Sequence, residues 1–319
     1  MASSYTLRTV RTLRALTCAA FVFAAAACAP RAAFSRPQRP TAGAFDPARL
    51  ADIDVLALPV VPDLSDAARA NVRDAFARGR TAGLDPDVFS KLGDCMTENP
   101  HFLVPFGDGD FDLASHSDLA PVVARFSKNP ARTGKPWTQN SFGTPSLAAA
   151  GGFNVAAPLD ATWSNPNWCT GSESPLECEL RVARPSIIVI MFGTNDVAAT
   201  SPADFDFYLR TLIHDALDAG VVPLLSTFPM RPEDPEKTLL LNRIVVAAAR
   251  DYQVPIMNLF RALEALPGRG VDPNDTIHLS VPPDGRTDIL ADAHLRFGFP
   301  VRNLVTLQAL QATVAAVDR

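Results

Sequence analysis

Charge is sparse in this sequence, and cations do not dominate it: 29 Lys and Arg stand against 34 Asp and Glu in 319 residues, for a formal net charge of −5. Before Asp46 the only charged side chains are Arg8, Arg11, Arg14, Arg31, Arg36 and Arg39, and removal of the first three takes the net charge to −8. No basic stripe is left to neutralise phosphates, so nucleic acid is not an expected partner. The apolar run over residues 15–27 is shorter than the ~20 residues a membrane-crossing helix needs. No internal repeat or low-complexity tract occurs. Cys-x-x-Cys is missing, which leaves a thiol relay without a resolving partner, and no His accompanies the Cys pair at 169 and 178, so a metal is not expected. What is present, 47% hydrophobic residues, is enough for one large core.

The first 27 residues have the three parts of a secretory signal: Arg8, Arg11 and Arg14, the apolar run, and small residues at 25–27. Cys28 follows directly, an arrangement similar to a bacterial lipobox, in which the Cys is lipidated and becomes the mature N-terminus. The expectation is a cell-surface lipoprotein anchored at Cys28, with free secretion the alternative and the lipid anchor the only membrane contact. Residues 28–47 carry Pro30, Pro37, Pro40 and Pro47 and read as a tether. Residues 48–319 form the folded domain. In an oxidising compartment Cys169 and Cys178, which flank a short loop, are expected to form a disulfide. Cys95 is then left unpaired.

Within the domain, Leu64, Ala68, Val72 and Phe76 recur every four positions behind Ser65, which predicts a capped helix over 65–80. A short extended stretch, 88–92, stops at Gly93-Asp94-Cys95. Residues 97–168 are rich in Pro, Gly, Asn and Ser and read mostly as loop, with a helix at 117–126. The run 185–192 has the apolar, β-branched character of a strand buried on both faces of a parallel sheet. Ser201-Pro202-Ala203-Asp204 opens a helix. A strand at 221–228, a helix at 236–252, a strand at 255–259 and an apolar helix at 303–317 complete the pattern. Alternating strands and helices of this size predict an α/β fold with a parallel sheet covered on both sides.

Such sheets carry their working residues at the carboxyl ends of strands. Gly93-Asp94-Cys95 and Gly193-Thr194-Asn195-Asp196 fall there, and Asp275-Thr276-Ile277-His278 lies in a late loop. Cleaving an ester by covalent catalysis needs a nucleophile, a base, a group that orients the base, and donors for the oxyanion. Cys95 supplies the nucleophile, His278 the base and Asp275 the orienting carboxylate. The Asn195 amide and the backbone N–H groups of Cys95 and a glycine supply the donors. His101, His116, His214 and His294 have no such pattern and read as structural or surface residues, and Asn195-Asp196 would also serve to cap the following helix.

At these residues the chain resembles the SGNH (GDSL) hydrolase family. Gly93 and Asp94 match its first motif with Cys95 in the Ser place, Gly193, Asn195 and Asp196 match Gly-x-Asn-Asp, and Asp275 and His278 match Asp-x-x-His. The family's lone glycine between them falls on Gly152, with Gly151 beside it. The resemblance covers roughly residues 54–317. It implies a flavodoxin-like three-layer α/β/α sandwich and cofactor-free hydrolysis of a small-molecule, lipid or glycan ester. The Cys is a departure, because longer bonds to sulfur displace the attacking atom from where a Ser-built site expects it. A second reading is therefore a catalytically silent relative that binds a glycan or lipid in the same cleft, and a third, ranked last, is a redox protein acting through Cys95.

Overall fold

The structure, a computed structural model, describes Met1 and residues 37–41, 43, 45–133 and 139–318. The expected leader and Cys28 lie outside the described residues. The account that follows is of the unit spanning residues 35–319.

Helix α1 (Asp66–Thr81) begins as its sequence dictates, with Ser65 Oγ accepting from Ala68 N. It leads into strand β1 (Asp85–Gly93) and the single turn of α2 (Cys95–Glu98). Helix α3 (Ala120–Ser127) and a small antiparallel pair, β2 (Pro130–Arg132) with β3 (Gln139–Asn140), interrupt the loop-rich stretch. Then follow α4 (Pro175–Ala183), β4 (Pro185–Met191), α5 (Asp196–Ala199), α6 (Pro202–Asp218), β5 (Val222–Ser226), α7 (Pro235–Tyr252), β6 (Ile256–Met257), α8 (Leu259–Glu264) and α9 (Gly298–Val317).

Strands β1, β4, β5 and β6 form one parallel sheet in the order β1-β4-β5-β6. Every residue of β4 and β5 is buried, the mark of strands covered on both faces. Helix α1 packs with α9 and α6 with α7, and both pairs lie on the sheet, giving the α/β three-layer sandwich.

Three of the differences from the sequence pattern have a long-range reason. The last strand is two residues long because the next position, Asn258, is occupied elsewhere: its N–H donates to Val60 O at 2.7 Å and its amide to Val55 O and Leu58 O at 2.7 and 2.9 Å. The final helix starts at Gly298, ahead of its expected first turn, because Ser280 caps it from across the chain, Oγ accepting from Gly298 N and the carbonyl from Phe299 N. The later part of the Pro-rich segment is laid against the body. Arg39 pairs with Asp215 at 2.9 Å, Phe45 packs on the core, and Arg49 pairs with Asp251 at 2.8 Å.

Candidate active site

Strand β1 delivers Gly93, Asp94 and Cys95 to the carboxyl edge of the sheet. Only glycine fits first, since a Cβ on Gly93 would sit 2.3 Å from Thr97 Oγ1 and 2.6 Å from Met191 O. Asp94 then caps α2, Oδ1 accepting from Met96 N at 2.9 Å. It is fully buried, and burial pushes its carboxyl up to about 6 against the pull of the Arg302 charge. Cys95, the first residue of α2, is partly exposed. Burial, and next the Asp94 charge, push its thiol up to about 11, while backbone N–H groups and Arg231 act the other way. Cys95 Sγ and the His278 ring share no hydrogen bond.

The glycine loop is fastened to the same strand end. Gly93 N donates to Ala148 O at 3.2 Å and Gly93 O accepts from Ala150 N at 3.3 Å, so residues 148–150 extend the sheet alongside the Gly93 end of β1. Glu98 of α2 then accepts from Gly151 N at 2.6 Å. Gly152 follows with φ +82°, and its exposed N–H has no acceptor among the described residues. This separates the two candidate glycines: the Gly151 N–H is engaged by Glu98, and that of Gly152 is open.

Gly193 to Asp196 follow β4. Gly193 has φ +129°, and a Cβ there would lie 2.2 Å from the Phe228 ring. Asp196 is buried, accepting from Gly193 N and Val155 N at 3.0 Å and from Thr200 Oγ1 at 2.7 Å, so it ties this motif to the glycine loop. The Asn195 amide donates to Phe153 O at 2.8 Å, which uses one of its two N–H bonds and leaves the other.

Asp275 and His278 pair as their spacing suggested. Asp275 Oδ2 lies 2.7 Å from His278 Nδ1, and Oδ1 takes the backbone N–H of Ile277 and His278 at 3.2 and 3.3 Å. The hydrogen bond from His278 holds the Asp275 carboxyl below its ordinary range. An ionised carboxylate only accepts, so Nδ1 carries a proton, and in the neutral ring Nε2 is the nitrogen with the lone pair. Between them Thr276 sits at φ +59°, and Arg231 Nη1 donates to its carbonyl at 3.2 Å.

Three residues with no visible motif complete the surroundings. Arg231, on the loop after β5, holds the 275–278 turn and is the cation that acts on Cys95. Glu98 fixes Gly151. Arg302 on α9 is wholly buried, donates to Met96 O and to Thr97 Oγ1 at 3.0 Å, and lies 3.6 Å from the centre of the Phe102 ring. Burial lowers its guanidinium to about 9, opposed by Asp94 and Cys95. The signal for Arg302 is a lone cation at the edge of an otherwise apolar helical pattern.

From Gly152 a groove of about 1060 Å³ runs over the loop-rich region, past Phe153, Trp163, Trp168 and Tyr208. Its far wall is stapled to α4 by the Cys169–Cys178 disulfide, with the Cα atoms 5.3 Å apart.

A parallel α/β sandwich with an Asp-paired His in a late loop, an Asn and open backbone donors beside a strand-end thiol, defines a protein of the SGNH hydrolase class, acting on ester bonds. The family model of the GDSL-like lipase/acylhydrolase family matches residues 114–282, more than half of the chain. The chain belongs to that family. The matched span holds Gly152, the 193–196 motif and the 275–278 motif and begins beyond Cys95. Among solved structures, the chain is similar to a Bacteroides fragilis protein assigned as an acylhydrolase, at 15% identity and a TM-score of 0.42 over 78% of this chain and 99% of that one. It is also similar to a GDSL-like lipase from Bacteroides thetaiotaomicron, at 14% identity and a TM-score of 0.40 over 76% and 98%. No curated protein matches.

Proposed function

We propose that this hydrolase cleaves carboxylic esters outside the cytoplasm with Cys95 as nucleophile, His278 as base and Asp275 as the carboxylate that orients it. The observation that carries the reading is the 2.7 Å contact between Asp275 Oδ2 and His278 Nδ1, which orients the ring with a proton on Nδ1, so that Nε2 is the base of the neutral imidazole. Nε2 takes the thiol proton as Sγ attacks the acyl carbon. The ester C–O bond then breaks, and the alcohol leaves with that proton. Water, deprotonated by the same nitrogen, splits the thioester, releasing the carboxylic acid and restoring the thiol. The Cys95 and Gly152 N–H groups and the second amide N–H of Asn195 are the donors for the oxyanion. The Cys169–Cys178 disulfide supports an oxidising compartment, in keeping with export and with anchoring at Cys28.

A second reading, a silent relative that binds without turnover, is favoured by the thiol itself, pushed up to about 11 and not hydrogen-bonded to His278. Hydrolysis of p-nitrophenyl acetate separates the two. Under the first reading Cys95→Ala abolishes turnover and His278→Ala lowers it about 10²–10⁴-fold. An inert protein that gains activity as Cys95→Ser establishes the second.

A further inference from the structure

The groove beside Gly152 contains two tryptophans that the fold takes trouble to present. Trp163 is 59% exposed, whereas the other exposed large apolar side chains among the described residues are only Met1 and Leu56. It stands on a single 3₁₀ turn that Asp160 caps by accepting from Thr162 N at 2.9 Å. Its ring meets the Phe153 ring at 68°, with the centroids 6.1 Å apart. Trp168 is braced from two sides: the Arg132 guanidinium lies 4.7 Å over its ring, and the disulfide holds the adjoining Cys169 to α4. An indole kept in water and held rigid is a contact surface in waiting.

The rest of the lining indicates the occupant. Its charged side chains, Glu98, Asp160 and Arg132, sum to −1 and each makes a hydrogen bond to the main chain, with Arg132 Nη1 left without a partner among the described residues. Glu98 accepts from Gly151 N, Asp160 caps the Trp163 turn, and Arg132, besides stacking on Trp168, donates to Pro145 O at 2.8 Å. Asn154 and Asn165 accept main-chain N–H bonds through their side-chain oxygens, from Ala156 and Ala157 and from Asn167, so their NH₂ donors remain, together with the Asn167 amide and Tyr208, among the aromatic rings. An acyl chain would desolvate those amides without replacing their hydrogen bonds, whereas sugar hydroxyls replace them and sugar ring faces stack on indole. At about 1060 Å³ the groove exceeds the ~300–1,000 Å³ of ordinary small-molecule pockets, room for several linked units. It also leads to the reaction centre by a short route: Phe153, which Trp163 touches, follows Gly152 and gives its carbonyl to Asn195.

We propose that this groove binds a neutral oligosaccharide, with Trp163 and Trp168 stacking on its rings, and presents an O-acyl ester of that glycan to Cys95. The ester half rests on the hydrolase reading above, and the binding half does not. The test uses the full chain carrying Cys95→Ala, titrated calorimetrically with O-acetylated xylo-, cello- and chito-oligosaccharides and with dihexanoyl phosphatidylcholine, while the unmodified chain is assayed separately on p-nitrophenyl acetate. Saturable binding of at least one glycan is expected, weakened about tenfold or more by Trp163→Ala and by Trp168→Ala, partly restored in Trp163→Phe, and unmoved by Leu56→Ala. Circular dichroism identifies any variant that fails to fold, and Trp163, at the surface, decides the matter if Trp168→Ala is one. Glycan binding by a chain inert on the ester sustains the groove and removes the hydrolase reading. Ester turnover with no glycan bound, glycan binding indifferent to both tryptophans, or loss confined to the phospholipid overturns the proposal.

Discussion

The Cys95 thiol gives the sharpest quantitative test of this site. Burial and the Asp94 charge push it up to about 11, from 9.0 in an unperturbed cysteine. At pH 8 the thiolate fraction is then about 10⁻³ against about 10⁻¹ for the unperturbed group, so alkylation by iodoacetamide should run about 100-fold slower than for a free cysteine. The rate should climb about tenfold per pH unit to pH 10 without a plateau. Peptide-level mass spectrometry assigns the modified residue and keeps Cys95 apart from other thiols. Asp94→Asn removes the second cause of the shift and should speed alkylation at fixed pH. Arg231→Gln removes the opposing cation and should slow it. A plateau below pH 8 would mean that the thiolate is already formed, as in a cysteine–imidazolium pair, and would refute the reasoning. The expected result carries a mechanistic consequence: the sulfur must lose its proton in step with attack, as a serine hydroxyl does, with no ion pair standing ready.

Three further outcomes follow from buried groups and covalent links. The Asp94 carboxyl titrates near 6 when folded and 3.8 when unfolded, so its contribution to stability is full below the lower value and lost as pH rises through the higher one. Between pH 4 and 7.5, urea unfolding should show wild type losing about 2.4 kcal/mol relative to Asp94→Asn. Arg302→Met strands Asp94 without its cation, and at neutral pH should cost about 3–5 kcal/mol, read as a lower denaturation midpoint. Replacing both Cys169 and Cys178 by Ser opens a loop with a sequence separation of 9 and should cost about 2–3 kcal/mol, measured against the oxidised parent.

The parts of this molecule that could be read from sequence are those whose cause is local. Strand β4 announces itself because each of its residues is buried, so no polar side chain interrupts the run. Helices α1 and α6 announce themselves through Ser65 and Ser201, whose hydroxyls accept from N–H groups three residues on. The Asp275–His278 pair was legible for the same reason, its two members sharing one turn. What sequence concealed depends on partners far along the chain. Arg302 looks misplaced in an apolar helix until Asp94 and Thr97 are brought beneath it. Arg231 looks like an ordinary loop cation until Thr276 and Cys95 come near it. The brevity of β6 depends on where Asn258 finds acceptors, some two hundred residues earlier in the chain. The choice between Gly151 and Gly152 depended on Glu98, whose reach across the loop no pattern announces.

The double attachment of the glycine loop to Gly93 bears on tolerance to motion. Both main-chain groups of that residue are bonded to residues 148 and 150, and Glu98 adds a third link from the turn that begins with Cys95. Thermal displacement of the strand end therefore carries the sulfur and the Gly152 N–H along together. Their relative alignment is held by three hydrogen bonds even where their common position drifts. Loops elsewhere around the cleft can accordingly vary in length and sway without detuning the pair, so accuracy at the reacting atoms does not require rigidity of the whole rim.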